Sequence, residues 1–211
     1  MNKKFAITIA RQYGSGGFLI GKKLSKDLNT AFYDKELIKI ASEKSGLGKE
    51  LFEASDEKKH FWFLGGLHEL FANIFGLEQS NNNIILNDSL FKIQSDIIKQ
   101  LAEKESSIFI GRCANYVLRN HPECINVFVH ADIKDRIKRI SLHKNITDNK
   151  ALEEIEHVDR ERSKYYNYYT GKVWGAADSY HLCINSSILG IDETAELIRF
   201  FIERKKTQIK V

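Results

Sequence analysis

The sequence is poor in the residues that would place it in a specialised class. One proline, Pro122, stands in 211 residues, and no tract is dominated by one or two residue types. That excludes proline-rich and low-complexity scaffolds. Three cysteines, Cys113, Cys124 and Cys183, are scattered singly, without the paired spacing of a zinc site or a disulfide framework. They are expected to pack as small hydrophobes in a reducing compartment. Seven histidines show no metal-ligand spacing, so no metal ligand is assigned. No serine sits in a nucleophile-elbow context. Long apolar runs are missing too: the most apolar later window, 61–75, contains His68, Glu69 and Asn73 and falls short of the ~20 residues of a membrane span. Met1–Lys4 leads into an apolar run too short for a signal peptide. A soluble cytoplasmic protein without membrane contact is expected. The formal net charge of +4 is mild; it suits an anionic small substrate as well as a nucleic acid and decides nothing alone.

What is present is an alternation of short apolar runs with helical patterns. Strands are expected at Phe5–Ala10, Ala31–Tyr33, Ser107–Gly111, Ile125–His130 and His181–Asn185. Helices are expected up to Leu28, over 35–45, from a cap at Asn87 or Asp88 to about Glu105, from Asp132 to about Leu142, over 148–169 behind a Thr147 cap, and over 192–205. Continuous apolar strands without hairpin turns indicate an α/β sandwich around a parallel sheet, with ligands at the carboxyl ends of the strands. Residues 49–76 carry an aromatic stripe at helical spacing, strongest over 61–75. It reads either as core or a subunit contact, which would make a homodimer, or as a mobile lid. Residues 78–83 are the best linker candidate.

The chain is organised around Phe5–Leu28: strand, glycine-rich turn (Gly14, Ser15, Gly16, Gly17), helix. Such a turn offers unpaired backbone N–H groups to an anion. The literal phosphate-loop pattern Gly16-x-x-x-x-Gly21-Lys22 starts six residues after the strand and would put Phe18, Leu19 and Ile20 in the loop. Those residues are better used burying the helix, so the loop is assigned to Arg11–Gly17.

These segments resemble the cytidylate kinase-like family of bacterial proteins. The resemblance lies in R-x-Y-G-S-G-G (Arg11–Gly17), Y-D-K-E-L-I (Tyr33–Ile38), G-R-x-A-N-Y-V-L (Gly111–Leu118), Y-Y-x-Y-Y-T-G-K-x-W-G (Tyr165–Gly175) and Cys183-Ile184-Asn185-Ser186. It spans nearly the whole chain in order. It implies a three-layer P-loop NTPase fold with a sheet of about five strands, in a single domain. The implied core is about 1–34, 84–145 and 180–211, with a helical acceptor-binding insertion at 35–83 and a lid at 146–179. The implied activity is phosphoryl transfer from ATP with Mg²⁺, which relies on positioning and positive charge.

By the resemblance, Arg112 holds the acceptor phosphate, a reading preferred over the alternative of a surface salt bridge. Asp159 and Arg162 match the lid's D-x-x-R, with the arginine reaching phosphate and the aspartate the cytosine side, or form a plain intrahelical bridge. Arg136 and Arg139 lie at lid spacing or on a solvated face, and Asp34 opens the acceptor segment, caps a helix, or both. Tyr165, Tyr166, Tyr168 and Tyr169 could stack on a base or pack within a helix. Gly17 falls where cytidylate kinases carry the phosphate-loop lysine, and Leu19 where they carry the magnesium-side Ser/Thr. Arg11 or Lys22 would stand in for the lysine. The leading expectation is an ATP-dependent kinase for CMP, dCMP or a related small acceptor. The alternative is a nucleotide-binding or sensing protein that has lost catalysis. No nucleic-acid partner is expected.

Overall fold

The computed structural model describes residues 4–34 and 82–208. The helix expected over 35–45 and the aromatic stripe of 61–75, with its alternative roles, lie outside the described residues. The chain divides into two compact units, one of Met1–Asp34 with Leu101–Val211, the other of Lys35–Gln100.

In chain order the described elements are β1 (Ala6–Arg11), α1 (Gly17–Asp27), β2 (Ala31–Tyr33), α2 (Asn82–Lys104), β3 (Ser107–Ile110), α3 (Ala114–Val117), β4 (Cys124–His130), α4 (Ile133–Lys144), α5 (Asp148–Thr170), a 3₁₀ turn (Ala177–Ser179), β5 (Leu182–Asn185) and α6 (Ser186–Gln208). The five strands form one sheet in the order β2-β3-β1-β4-β5. Every pairing is parallel, with Ile9 opposite Ile110 on one side and Val127 on the other. The expected α/β three-layer architecture is present.

Alternation along the strands builds two different faces. Ile7, Ile9, Ile108, Ile110, Val127, Val129 and Ile184 turn to α1 and α6, where they bury Ile20, Leu24, Ala195, Ile198 and Ile202. The opposite face carries Ala10 and Phe128 under Tyr180 and Trp174, with Phe128 edge-on to the indole at 5.4 Å. Helices α4 and α5 pack on each other through Ile140, Ala151 and Ile155, and Tyr13 joins that cluster. The Thr147 hydroxyl caps α5 by accepting the Lys150 N–H, and Gly171, at φ +66°, ends it.

Three expectations differ in detail. Helix α2 begins at Asn82, so Asp88 is a solvent-facing position inside it rather than its cap. The last helix starts at Ser186, with a break at Gly190 (φ 75°, ψ −176°), a backbone state that only glycine adopts freely. On α1 only Ile20 of the three apolar residues is buried; Phe18 and Leu19 are 42% and 48% exposed. Phe18 instead meets Phe32 edge-on at 5.5 Å.

Candidate functional site

Five strand ends converge on one side of the sheet, and the residues singled out from the sequence lie there. β1 ends on Arg11, β2 hands over to Asp34, β3 to Gly111-Arg112, β4 to Asp132 and β5 to Ser186. Between β1 and α1 the loop turns through Gly14 (φ +78°) and Gly16 (φ +80°). A side chain at Gly14 would meet the Arg136 carbonyl, and one at Gly16 would meet Ile191. Ser15 is fully buried and donates to the Gln12 carbonyl at 2.8 Å, which closes the loop on itself. The N–H groups of Gly14, Gly16, Phe18 and Leu19 have no acceptor among the described residues. They are the free donors that a strand–turn–helix junction leaves for an anion.

The loop is held from beneath by α4 and α5. Arg136 donates Nε to the Tyr13 carbonyl at 2.8 Å, and its Nη2 pairs with Asp159. Arg139 donates to the Gly14 carbonyl. The second Asp159 oxygen accepts the Tyr13 N–H at 2.7 Å. The Tyr13 hydroxyl reaches Glu154 at 3.0 Å, beside the Lys144–Glu154 pair. Arg136 is therefore buried against the loop and paired rather than part of a solvated face, Arg139 is half-buried and gives one donor to the loop, and the Asp159 carboxylate is committed to the loop and Arg136. Burial still holds the Asp159 carboxyl above its ordinary range, opposed by the Tyr13 N–H and by Arg136 and Arg162.

Above the loop, three guanidinium groups share one region. Arg11 has a side chain 19% exposed and faces Asp34 at 3.6 Å, a separation too long for a hydrogen bond. No hydrogen bond to its guanidinium is formed among the described residues, so its donors are open. Burial lowers its pKa, Asp34 raises it, and the nearby Arg112 charge lowers it again. Arg162 donates to the Arg11 carbonyl at 3.0 Å and lies 5.5 Å from the centre of the Tyr13 ring. Burial, then repulsion from Arg11, pulls the Arg162 pKa down to about 9. Arg112 is itself strained: Gly111, Arg112 and Cys113 hold φ of 73°, 58° and 54°. A non-glycine residue pays ~1–2 kcal/mol for this left-handed state.

The structure thus brings together Arg11, Asp34, Arg112, Arg162 and the loop glycines. It leaves Lys22 apart, exposed on α1. A resident Mg²⁺ does not fit the described residues: Leu19 has no oxygen to offer, the Ser15 hydroxyl is engaged, and no cluster of three His, Cys, Asp or Glu side chains occurs among them. Four positions carry the site without having been given a role from sequence. Gln12 accepts the Ala131 N–H through Oε1 at 3.3 Å, and Tyr13 anchors the loop to α5. Ser186 donates to the Ser15 carbonyl at 2.6 Å, and Asn185 donates to Asp132 at 2.9 Å. A signal for three of them lay in the runs R-x-Y-G-S-G-G and C-I-N-S, which hold Tyr13, Asn185 and Ser186; Gln12 is the unspecified position of the first run and had none. Of the tyrosines on α5, Tyr166 is buried and accepts from Asn115 at 2.9 Å, while Tyr168 is 63% exposed.

The chain matches the cytidylate kinase-like family over residues 6–188. It is 28% identical over 146 residues to a cytidylate kinase of Staphylothermus marinus, covering 68% of this chain and 82% of that one. It is 24% identical over 197 residues to a cytidylate kinase of Sulfurisphaera tokodaii, covering 93% and 94%. In structure it resembles an uncharacterized protein from Eubacterium ventriosum, with TM-score 0.69, 25% identity and 95% and 99% of the two chains covered. A gluconokinase from Sinorhizobium meliloti shares the fold at TM-score 0.56 and 10% identity, over 100% and 98% of the two chains. The fold is that of P-loop small-molecule kinases, and the chain belongs to the cytidylate kinase-like family.

Proposed function

We propose that this chain transfers a phosphoryl group from ATP to an anionic small acceptor, a nucleoside monophosphate such as CMP or dCMP. One observation carries the reading. Arg11 and Arg112 present open donors beside four unpaired loop N–H groups, at the strand ends where this fold places its ligands. Phosphoryl transfer needs little covalent help from a protein; it needs the two phosphates held in line and their charge neutralised. The loop N–H groups cradle the donor's phosphates, Arg11 and Arg162 face the transferred group, and Arg112 holds the acceptor phosphate. Guanidinium suits this task because its planar fork binds two oxygens at once. Mg²⁺ would enter with the nucleotide, held by phosphate and water.

A coupled assay of ADP formation with ATP and CMP, dCMP or UMP tests this. Turnover with at least one acceptor is expected, falling by about 10²-fold or more in Arg112→Ala. A second reading is favoured by Gly17 and Leu19, which replace the usual lysine and hydroxyl: a nucleotide-binding protein without catalysis. ATP binding by calorimetry, with no turnover on any acceptor, would select it.

A further inference from the structure

Laid on this loop, the pattern G-x-x-x-x-G-K puts its second glycine on Gly16. Its first glycine then falls on Arg11 and its lysine on Gly17. The chain has a cation where the pattern has glycine, and glycine where it has the cation. In the folded protein the two positions touch. A Cβ at Gly17 would lie 2.7 Å from Arg11 Cβ and 3.1 Å from Arg11 Cγ. Arg11 Cβ has little room to step aside, because it is set by the backbone of β1, which at this residue is paired with Val129 of β4. No side chain, lysine included, fits at 17 while arginine stands at 11. The other end of Arg11 meets a second glycine: a Cβ at Gly111 would lie 2.2 Å from Arg11 Nη1. The stem and head of Arg11 thus fill the volumes that side chains at 17 and 111 would take.

We propose that Arg11 and Gly17 are two halves of one exchange. The cation that grips the nucleotide's terminal phosphates has moved from the first turn of α1 to the end of β1, and Gly17 is glycine to admit it. Three observations support Arg11 in that role. Its guanidinium makes no hydrogen bond among the described residues. Its one ion pair among the described residues, to Asp34, is loose at 3.6 Å. The rival cation, Lys22, is exposed on the helix. The new position also changes the geometry of the grip. A lysine on α1 would be a point charge at the helix end, whereas Arg11 offers a fork at the β1–β3 edge, beside Asp34 and Arg112. Donor and acceptor phosphates would then be bridged from the same side. The inference rests on the reading that the loop binds a polyphosphate.

The test is a cycle of Arg11→Gly, Gly17→Lys and the double variant, with melting temperature and ATP affinity by calorimetry as readouts. Gly17→Lys alone is expected to lower the melting temperature, and Arg11→Gly added to it to restore most of the loss. Arg11→Gly alone should weaken ATP binding about tenfold or more. The double variant should recover most of that affinity, because lysine then reaches the phosphates from its usual place. Arg11→Lys separates charge from shape, and an intermediate affinity is expected. Additive melting temperatures, or wild-type affinity in Arg11→Gly together with loss in Lys22→Ala, would overturn the exchange. If the wild type binds ATP but turns over no acceptor, the kinase reading fails and the exchange stands. If the wild type binds no ATP, both fail.

Discussion

The carboxylate of Asp159 accepts the backbone N–H of Tyr13 at 2.7 Å, which ties α5 to the glycine-rich loop across 146 residues of sequence. The same carboxylate balances Arg136, whose side chain is 7% exposed. Asp159→Ala would leave a buried guanidinium without its counter-charge and a loop N–H without its acceptor, and a loss of about 3 kcal/mol is expected in denaturant unfolding. Removing both charges should be milder. Arg136→Met with Asp159→Leu is expected to be more stable than Asp159→Ala alone, since the buried Arg136 charge is removed with its partner and only the looser Arg162 contact at 3.9 Å is lost in both. A double variant that is the less stable of the two would show that the pair's attraction, not its desolvation, dominates.

Arg112 holds φ +58° between two other left-handed residues. Strain of this kind is relieved by glycine and not by alanine, so Arg112→Gly should be more stable than Arg112→Ala by about 1 kcal/mol. Both should lose the acceptor interaction equally. A stability gain without recovery of function, read from melting temperature and acceptor KM, is the expected signature of backbone strain kept for the site. Equal melting temperatures in the two variants would remove strain from the account.

Much of the fold was legible because its signals are local. Parallel strands buried on both faces read as apolar runs such as Ile7–Ile9 and Val127–Val129, and Thr147 and Gly171 marked the limits of α5. The loop's register followed from where Phe18–Ile20 could not go, although Phe18 and Leu19 proved exposed. A helix's first turn over a sheet edge buries only the residue pointing inward, and spacing within three residues cannot tell which one that is. What the sequence could not reveal was partnership at long range. Arg136 and Arg139 sit on α4 among Lys134 and Lys138, and nothing in that run distinguishes a solvated face from a brace. Their targets are carbonyls of Tyr13 and Gly14, and backbone atoms leave no mark on composition. Asp159 and Arg162 share a helix face, as the bridge reading required, at 3.9 Å. Their shorter contacts lie elsewhere: Asp159 meets Arg136 of α4 and the Tyr13 N–H, and Arg162 donates to the Arg11 carbonyl.

His181 offers a test in pH. Its Nδ1 accepts the backbone N–H of Asn126 at 2.8 Å, so the ring must be unprotonated there. Burial, and then the Lys205 charge, holds its pKa below the ordinary value. As pH falls past ~6.5 the unfolded chain takes up this proton first. Stability from this group is therefore complete above about pH 6.5 and lost as pH falls towards the folded pKa. His181→Gln keeps an acceptor that does not titrate. Its melting temperature relative to wild type should rise as pH drops from 7 to 5, by an amount equivalent to about 1 kcal/mol or less. A constant difference across that range would sink the assignment.

Ser186, at the start of α6, closes the loop from the side opposite α5. It is fully buried, and its hydroxyl lies 2.6 Å from the Ser15 carbonyl and 3.2 Å from that of His130. Ser186→Ala deletes the donor without adding bulk and leaves the Ser15 carbonyl buried beside a methyl group. The expected loss is about 1–3 kcal/mol of stability. The sharper expectation concerns the loop. Ser15 lies between Gly14 and Gly16, so a shift of its peptide turns the N–H of Gly16 away from any anion at the helix start. ATP affinity should therefore weaken in Ser186→Ala even well below its melting temperature. Ile202→Val, at a fully buried position three turns beyond Ile191 on the same helix, should lose about 1 kcal/mol of stability without losing affinity. If both variants bind ATP as tightly as wild type, Ser186 supports the fold alone and the loop keeps its shape without it.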